Sequence, residues 1–533
     1  MFDKKISRRD FLKTMTMTAF ALTVPNFFGN AEAAKKNCSV KLRQGIYNGF
    51  VDSRGVQTWL GIPYAKPPVG NLRWRAPEKL DASDKTFDAK KFGLTPIQNK
   101  DPNEAASAFP QGEDCLTINV WTRNFDGRKP VMVYIPGGGF VGGGSADPLY
   151  NGSALALHDV VVVTMNYRLN VFGFLNFAAI DSDFPDASGC LGLKDQIAAL
   201  AWVKENIENF GGDPENVTLF GQSAGSISTL LLSVTPAANA LFHKAIPQSG
   251  HLSQYNTLEN SAKFAQSFMD INGFKSVKEL VKKPAKDLLA MYLKVYNEDP
   301  HATESAYLPT CDGKFLPEHP FRALKDGGAR DIKFMTGNTA DEYRYWLLYY
   351  PELVEGMSLF HETLSANIYE GEFTNVKELY QSWQKNHGDI ADDDERYLEF
   401  ADQLDWRVGQ ELAAEYQSKF NDVYFYFFSQ RSPNKNLDLF SCHSIELPFV
   451  FDTQDKDLDP KPDADFVKQV QATWTSFAKT GNPNNDLIPQ WKSYSVDDRE
   501  TMEMNSRAWT CHKDLNTDNL NELRGVYEDN LLD

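Results

Sequence analysis

The sequence predicts an α/β fold built on a large, mostly parallel central sheet flanked by helices. Short apolar runs rich in Val, Ile and Tyr alternate with stretches of helical periodicity, a pattern typical of parallel strands joined by helices. One of these strands leads directly into a Gly-x-Ser-x-Gly segment and then a helix, which places a serine at the end of a strand. The chain has 533 residues, of which 42% are hydrophobic, so it can bury a large core.

The elements can be assigned in chain order. Residues 130–135 are predicted to form a strand that Pro136 and three glycines end, and the Val-rich run 160–165 is typical of a strand buried on both faces. Residues 193–209 carry apolar side chains at helical spacing, and Gly211 is expected to cap that helix in the left-handed conformation. Further strands are predicted at 216–220, 244–247, 332–336 and 423–428.

Two segments, 251–330 and 345–420, lack strong strand signals and are predicted to be mostly helical insertions that cap the catalytic edge of the sheet. The chain has no internal repeat and no stretch of linker-like composition after residue 38. The simplest organisation is therefore one domain that covers residues 34–533.

Residues 1–33 have the features of a twin-arginine export signal. Arg8 and Arg9 precede the apolar positions Phe11 and Leu12, a short apolar stretch follows, and Ala31-Glu32-Ala33 matches a cleavage site. We therefore expect a bacterial precursor that uses the twin-arginine export machinery, and a mature protein that is periplasmic or secreted. No stable membrane anchor is expected.

Charge and cysteine content narrow the class of protein further. A formal net charge of -18 disfavours nucleic acid and anionic membranes as partners, because both would repel such a surface. Six cysteines are too few for a disulfide scaffold in a chain of this length, and their pairing stays open. They are Cys38, Cys115, Cys190, Cys311, Cys442 and Cys511. No spacing of Cys or His suggests a metal site, and no cofactor is expected.

Ser223 is the candidate nucleophile. It lies in Gly221-Gln222-Ser223-Ala224-Gly225, between a predicted strand and a predicted helix. A tight turn there would force the serine into a strained backbone conformation that needs small residues on either side. The alternative is an ordinary Gly-Ser turn.

A glycine run follows an earlier strand, at Gly137-Gly138-Gly139. Such a loop allows backbone N–H groups to approach an oxyanion closely. The alternative is a flexible glycine loop, since Gly142-Gly143-Gly144 comes directly after it.

More motifs are spread along the chain. They include Gly61-Ile62-Pro63-Tyr64-Ala65, Glu113-Asp114-Cys115-Leu116, Asn166-Tyr167-Arg168, Asp195-Gln196, Asn209-Phe210-Gly211-Gly212-Asp213-Pro214 and Thr480-Gly481-Asn482-Pro483. With these motifs, the chain from residue 38 onward resembles the type-B carboxylesterases, the family that includes the cholinesterases. The resemblance implies an α/β-hydrolase fold and hydrolysis of small carboxylic esters through an acyl-enzyme intermediate.

The resemblance also implies the remaining site residues. The family acid lies in a Gly-x-x-x-Asp-Glu segment, which makes Glu342 the acid and Asp341 the fallback; the family histidine matches His443. The chain order Ser, acid, His is the order expected for this fold. By the same resemblance, the oxyanion N–H groups belong to Gly138, Gly139 and Ala224.

Three further residues are implied as support for this triad, Gln222, Ser249 and Glu446, the last two in a buried polar network. Gln222 is a departure, because most relatives carry Glu there, and a neutral amide gives less electrostatic help to a cation. Pro136 is another, because it stands where His or Tyr is usual.

Two features of the segment before Cys115 also depart from the family. The family disulfide of Cys115 is expected to be absent, because the region near residues 95–98 offers no partner. Between Pro96 and Cys115 the aromatic residue is Phe109, with no tryptophan to stack on a quaternary ammonium group, so a choline ester is not the expected substrate.

Two other functions are weighed against an esterase. A lipase that acts on aggregated lipid would need an apolar lid, for which the acidic insertions give no clear signal. A non-catalytic adhesion relative would have lost the serine, whereas Ser223, Glu342 and His443 are all retained.

Overall fold

One large sheet organises the part of the chain that is described by the structure, a computed structural model covering residues 37–100, 105–298, 308–347, 376–388, 390, 392–434, 438–455, 457–515 and 521–525. The expected export signal, residues 1–33, lies outside these ranges, as do residues 348–375 of the second predicted insertion.

The strands are β1 (Asn37–Leu42), β2 (Gly45–Val51), β3 (Gln57–Pro63), β4 (Thr86–Asp88), β5 (Thr117–Thr122), β6 (Lys129–Ile135), β7 (Val161–Met165), β8 (Gly212–Gln222), β9 (Lys244–Gln248), β10 (Asn256–Thr257), β11 (Thr310–Cys311), β12 (Lys333–Thr339), β13 (Val423–Phe428), β14 (Thr501–Met504) and β15 (Trp509–His512). Among the described residues, thirteen of them form one sheet in the order β1-β2-β3-β5-β7-β6-β8-β9-β12-β13-β14-β15, with β4 beside β2.

Helices cover both faces of this sheet and form the insertions. The α-helices are Ser153–Ala156, Asn170–Gly173, Leu191–Asn206, Ala224–Ser233, Leu258–Asn272, Ala285–Glu298, Pro320–Lys325, Arg344–Leu347, Val376–Trp383, Asp393–Asp402, Val408–Ser418, Leu447–Phe451 and Ala464–Thr480, with a π-helix at Gln403–Arg407. In the described part of the chain, none of the helices is both long and apolar enough to cross a membrane.

The centre of the sheet is parallel, from β7 through β6, β8, β9, β12 and β13 to β14. The register pairs Ile135 with Gly221 and Gln222 with Gln248, and it pairs Gly337 with Gln248 as well. The carboxyl ends of these strands therefore lie at one edge. The loops after these strands carry the glycine run, Ser223, Glu342 and His443.

Side chains on both faces of this central region are buried. Along β6, Val131, Val133 and Ile135 pack into one hydrophobic cluster, while Met132 and Tyr134 pack into a second one on the opposite face. A continuous apolar run is what a doubly covered parallel strand requires. This rigid layer fixes where the loops at its edge begin.

The predicted α/β fold is confirmed, and all six predicted strands are present. The helix predicted at 193–209 begins two residues earlier, at Leu191, and its last turn is the 3₁₀ segment Ile207–Phe210. Gly211 comes next with a φ of +79°, the left-handed cap that was expected. The described residues of the first insertion, 251–298 and 308–330, are mostly helical, with the short parallel pair β10 and β11 in addition.

Candidate active site

Ser223 lies in a sharp turn between β8 and the helix Ala224–Ser233. Its backbone has φ +58° and ψ -126°, a strained conformation for a residue with a side chain. The turn can close because glycines flank it. A Cβ added to Gly221 would lie 2.5 Å from a backbone carbon of Gly225, and one added to Gly225 would lie 2.1 Å from the carbonyl oxygen of Ile135. The strained turn expected from the motif is therefore present.

The glycine loop after β6 packs its backbone against this turn. A Cβ added to Gly137 would lie 2.7 Å from the Gln222 carbonyl oxygen and 3.1 Å from the Ser223 Cβ. Gly138 and Gly139 have φ values of +112° and +58°, which favour glycine at both positions. The loop therefore needs glycine for two reasons, close packing and left-handed backbone.

Three backbone N–H groups are available beside Ser223. In the described part of the chain, the N–H groups of Gly138 and Gly139 donate to no backbone carbonyl. Ala224 is the first residue of its helix, so its N–H has no partner within the helix. Such an arrangement can bind an oxyanion.

Glu342 and His443 form a direct contact between two loops at the same edge. The Nδ1 of His443 lies 2.5 Å from Oε2 of Glu342, and both side chains are buried. The other carboxylate oxygen of Glu342 accepts the backbone N–H of Thr339 at 2.8 Å. Glu342 is thus held from one side by the end of β12 and reaches the imidazole on the other.

Asp341, the fallback acid, has different contacts. Its carboxylate accepts the backbone N–H of Ser441 at 3.0 Å and lies 3.9 Å from Nε of Arg344. These contacts join the loop that carries Asp341 and Glu342 to the loop that carries Ser441 and His443. The imidazole itself is paired with Glu342.

The second imidazole nitrogen faces an amide. The Nε2 of His443 lies 2.9 Å from Nε2 of Gln222. Because an amide nitrogen can only donate, the ring nitrogen that faces it is the acceptor, and Nδ1 is the nitrogen that donates to Glu342. Within the described residues, the Ser223 hydroxyl makes no hydrogen bond.

Glu446 is buried behind the triad in a chain of hydrogen bonds. Its Oε1 accepts from Nε2 of Gln248 at 3.0 Å, and Oε1 of Gln248 accepts from the Trp474 indole at 3.3 Å. Burial, with the nearby charge of Glu342, raises the pKa of Glu446 to about 8, so this carboxyl is uncharged at neutral pH. Ser249 is buried too, but its hydroxyl has no hydrogen-bond partner among the described residues. The buried network therefore contains Glu446, Gln248 and Trp474, and within the described residues the Ser249 hydroxyl is not part of it.

Two tryptophan rings pack beside His443. No sequence motif indicated them. The ring centroids of Trp406 and Trp346 lie 4.7 Å and 5.2 Å from the imidazole centroid, and the two indoles stack 5.9 Å apart. Trp346 stands four residues after Glu342, and this closeness in the sequence could have indicated that Trp346 lies near the site. Trp406 lies in the π-helix, an irregularity frequent at functional sites, and no sequence pattern indicates it.

Among the described residues, Cys115 and the segment before it form no disulfide. All six cysteines are free thiols, including the buried Cys115. The backbone of Thr95 is instead paired with Pro110 and Gly112. Pro136 presents its carbonyl oxygen to the Tyr167 hydroxyl at 3.0 Å. No group of three or more His, Cys, Asp or Glu that could hold a metal ion occurs in the described ranges.

Sequence comparison decides the family. Residues 36–522 match the sequence model of the carboxylesterase family. The chain belongs to the carboxylesterase family. It is a type-B, cholinesterase-like member with the α/β-hydrolase fold, and it is a serine hydrolase of carboxylic esters.

Several relatives of this carboxylesterase match nearly its whole length. It is 38% identical to the para-nitrobenzyl esterase of Bacillus subtilis over 488 residues, 88% of this chain and 94% of the relative. It is 30% identical to the phenmedipham hydrolase of Pseudarthrobacter oxydans over 493 residues, 86% of this chain and 94% of the relative. Among solved structures, a carboxylesterase of Geobacillus stearothermophilus superposes with a TM-score of 0.80 at 33% identity, covering 91% of this chain and 99% of that one.

Glu446→Gln should remove a pH dependence of stability. In the folded carboxylesterase this carboxyl keeps its proton up to about pH 8, whereas in the unfolded chain it loses the proton at pH ~4.3. Unfolding therefore releases a proton between these values, and the contribution of Glu446 to the free energy of unfolding falls as the pH rises. Urea titrations from pH 5 to pH 8 should show the variant gaining stability relative to the wild type. Equal slopes for the two proteins would contradict the buried, protonated state.

Proposed function

We propose that Ser223, His443 and Glu342 are the catalytic triad of this esterase. His443 takes the Ser223 proton at Nε2 as the hydroxyl attacks the ester carbonyl. The oxyanion that forms accepts hydrogen bonds from the N–H groups of Gly138, Gly139 and Ala224. The imidazolium then gives its proton to the leaving alcohol, and water repeats the cycle on the acyl-enzyme. Glu342 orients the ring and stabilises the imidazolium.

One observation carries this proposal. The His443–Glu342 contact and the strained Ser223 turn lie at the same edge of the sheet, and Gln222, the residue before the serine, touches the imidazole. The glycine loop packs against the same turn, and in the described part of the chain the N–H groups of Gly138 and Gly139 donate to no backbone carbonyl. The proposed nucleophile, base, acid and oxyanion donors thus belong to loops that start at the same edge of the sheet.

We propose neutral esters with an apolar or aromatic alcohol as substrates. The indoles of Trp346 and Trp406 flank the imidazole that would protonate the leaving alcohol, and they offer it an apolar surface. The name of the para-nitrobenzyl esterase relative fits this class. Choline esters fit less well, because a neutral Gln222 offers no charge to a quaternary ammonium.

Ser223→Ala should lower kcat on a short-chain p-nitrophenyl ester by roughly four to six orders of magnitude, because the nucleophile is gone while the oxyanion donors remain. Thermal melting should stay at the wild-type temperature, and an organophosphate should no longer label the protein. Ser233→Ala is a suitable control, since it removes the buried hydroxyl of a serine in the helix that follows Ser223, a hydroxyl bonded to the Thr229 carbonyl. A loss of only a few-fold in Ser223→Ala would place the nucleophile elsewhere.

Glu342→Gln and Asp341→Asn form a matched pair that separates the two acids. The first change removes the charge that orients His443 and should lower kcat by roughly three to four orders of magnitude, as loss of a triad carboxylate does elsewhere. The second acts on a carboxylate bonded to Ser441 and should cost far less. Steady-state kinetics of both variants decide the assignment; an equal loss, or a greater loss in Asp341→Asn, would reverse it.

We also propose that the precursor is exported by the twin-arginine route, on the strength of Arg8, Arg9 and the Ala31-Glu32-Ala33 site. Replacing both arginines by lysine should leave the full-length precursor and its esterase activity in the cytoplasm of a bacterial host. Fractionation with immunoblotting measures this. Unchanged export of the double variant would contradict the proposal.

A further inference from the structure

The side chain of Gln222 contacts His443, the base of the proposed triad, and the inference drawn from this contact depends on that triad. Its side chain is 2% exposed, so the amide is fixed in the protein interior. Its Nε2 lies 2.9 Å from the Nε2 of His443. Its Oε1 points to the glycine loop, since a Cβ added to Gly137 would lie 3.4 Å from that oxygen. The amide therefore bridges the imidazole and the loop that carries the oxyanion donors.

The chemistry of the two partners fixes the direction of the hydrogen bond. The Nδ1 of His443 lies 2.5 Å from the Glu342 carboxylate, which accepts only, so Nδ1 carries the proton. The atom that faces the remaining nitrogen, at 2.9 Å, is the amide nitrogen of Gln222, so the remaining nitrogen accepts. The amide N–H is the donor. A carboxylate in the same place cannot donate and would fit only an imidazole protonated on both nitrogens.

We propose that Gln222 is a positioning residue that holds the resting His443 neutral, with an amide N–H on the nitrogen that serves as the base. The Ser223 hydroxyl, which makes no hydrogen bond within the described residues, takes the place of the amide at Nε2 when the substrate binds. The residue before the nucleophile thus sets the lowest pH at which the base is ready. A neutral donor extends activity toward acid, whereas a carboxylate would shorten it.

Other ionisable groups surround the imidazole and stay constant in this comparison. Glu342 faces Nδ1, and Glu446 and Asp402, both buried, interact with Glu342. Tyr345 presents its ring 6.1 Å from the imidazole centroid, and Cys442 is the buried neighbour in sequence. A change confined to residue 222 therefore reports on the contact at Nε2.

The test is the pH dependence of kcat/KM on a neutral p-nitrophenyl ester. Gln222→Met keeps the size of the side chain but removes the donor, so the acid limb should move up by about half to one pH unit. Gln222→Glu places an acceptor at Nε2 and favours the imidazolium, so the limb should move up by about one to two units. Both variants should keep the wild-type KM on the high-pH plateau. Gln410→Met is the control, because Gln410 is a buried amide that donates to the Pro247 carbonyl and not to a histidine; its acid limb should match that of the wild type.

The outcomes separate the role of Gln222 from the triad itself. Full activity in Ser223→Ala would remove the triad and the inference together. With Ser223→Ala inactive, an unmoved or lowered acid limb in Gln222→Met and Gln222→Glu would overturn the role of Gln222 alone, as would an equal shift in Gln410→Met.

The protonation of His443 can also be measured in the wild type, so that this test does not require the Gln222 variants to fold. In protein with ¹⁵N-labelled histidine, the ring signals of His443 are assigned as those that disappear in the variant His443→Gln. At neutral pH we expect Nδ1 to carry the proton and Nε2 to show the shift of an unprotonated nitrogen that accepts a hydrogen bond. A proton on Nε2 of the resting enzyme would overturn the inference.

Discussion

The strained backbone of Ser223 is the constraint on which the site depends. An L-residue avoids φ +58° with ψ -126°, so the surroundings must hold it there. They do so by contacts between backbones: Gly225 against the Ile135 carbonyl, and Gly137 against the Gln222 carbonyl. Each contact requires the absence of a side chain. The same close approach brings the glycine loop beside the serine, so one packing arrangement supports both the proposed nucleophile and the proposed oxyanion donors.

The parallel centre of the sheet makes these contacts possible. Because β6, β8, β9 and β12 run in the same direction, their carboxyl ends meet, and the loops after them start close together. Three side chains near this edge of the sheet then differ in their charge and hydrogen bonding. Glu342 accepts two hydrogen bonds and faces the imidazole, Glu446 is kept protonated by burial, and Gln222 is neutral by composition. A single carboxylate next to the proposed base is consistent with an imidazole that becomes a cation and returns to the neutral form in each half of the reaction.

The features that sequence predicts well are local. The turn at Ser223, the cap at Gly211 and the buried strand β7 each follow from residues that are adjacent in the chain. The antiparallel edges, such as β2 with its alternately buried and half-buried residues, were not predicted, because partly exposed strands lack a continuous apolar run. Glu342 and His443 are 101 residues apart, and spacing alone cannot choose one among nine histidines, so the family resemblance was needed. The Glu446–Gln248 bond spans 198 residues and could be found only in three dimensions.

A crystal structure of the enzyme inhibited by a small phosphonate tests the central claim most directly. The phosphonate imitates the tetrahedral intermediate and stays bound to the nucleophile. We expect phosphorus attached to Oγ of Ser223, with the phosphoryl oxygen at about 2.7–3.1 Å from the N–H groups of Gly138, Gly139 and Ala224. Phosphorus on another residue, or a phosphoryl oxygen that points away from the glycine loop, would contradict the proposed triad and its oxyanion donors.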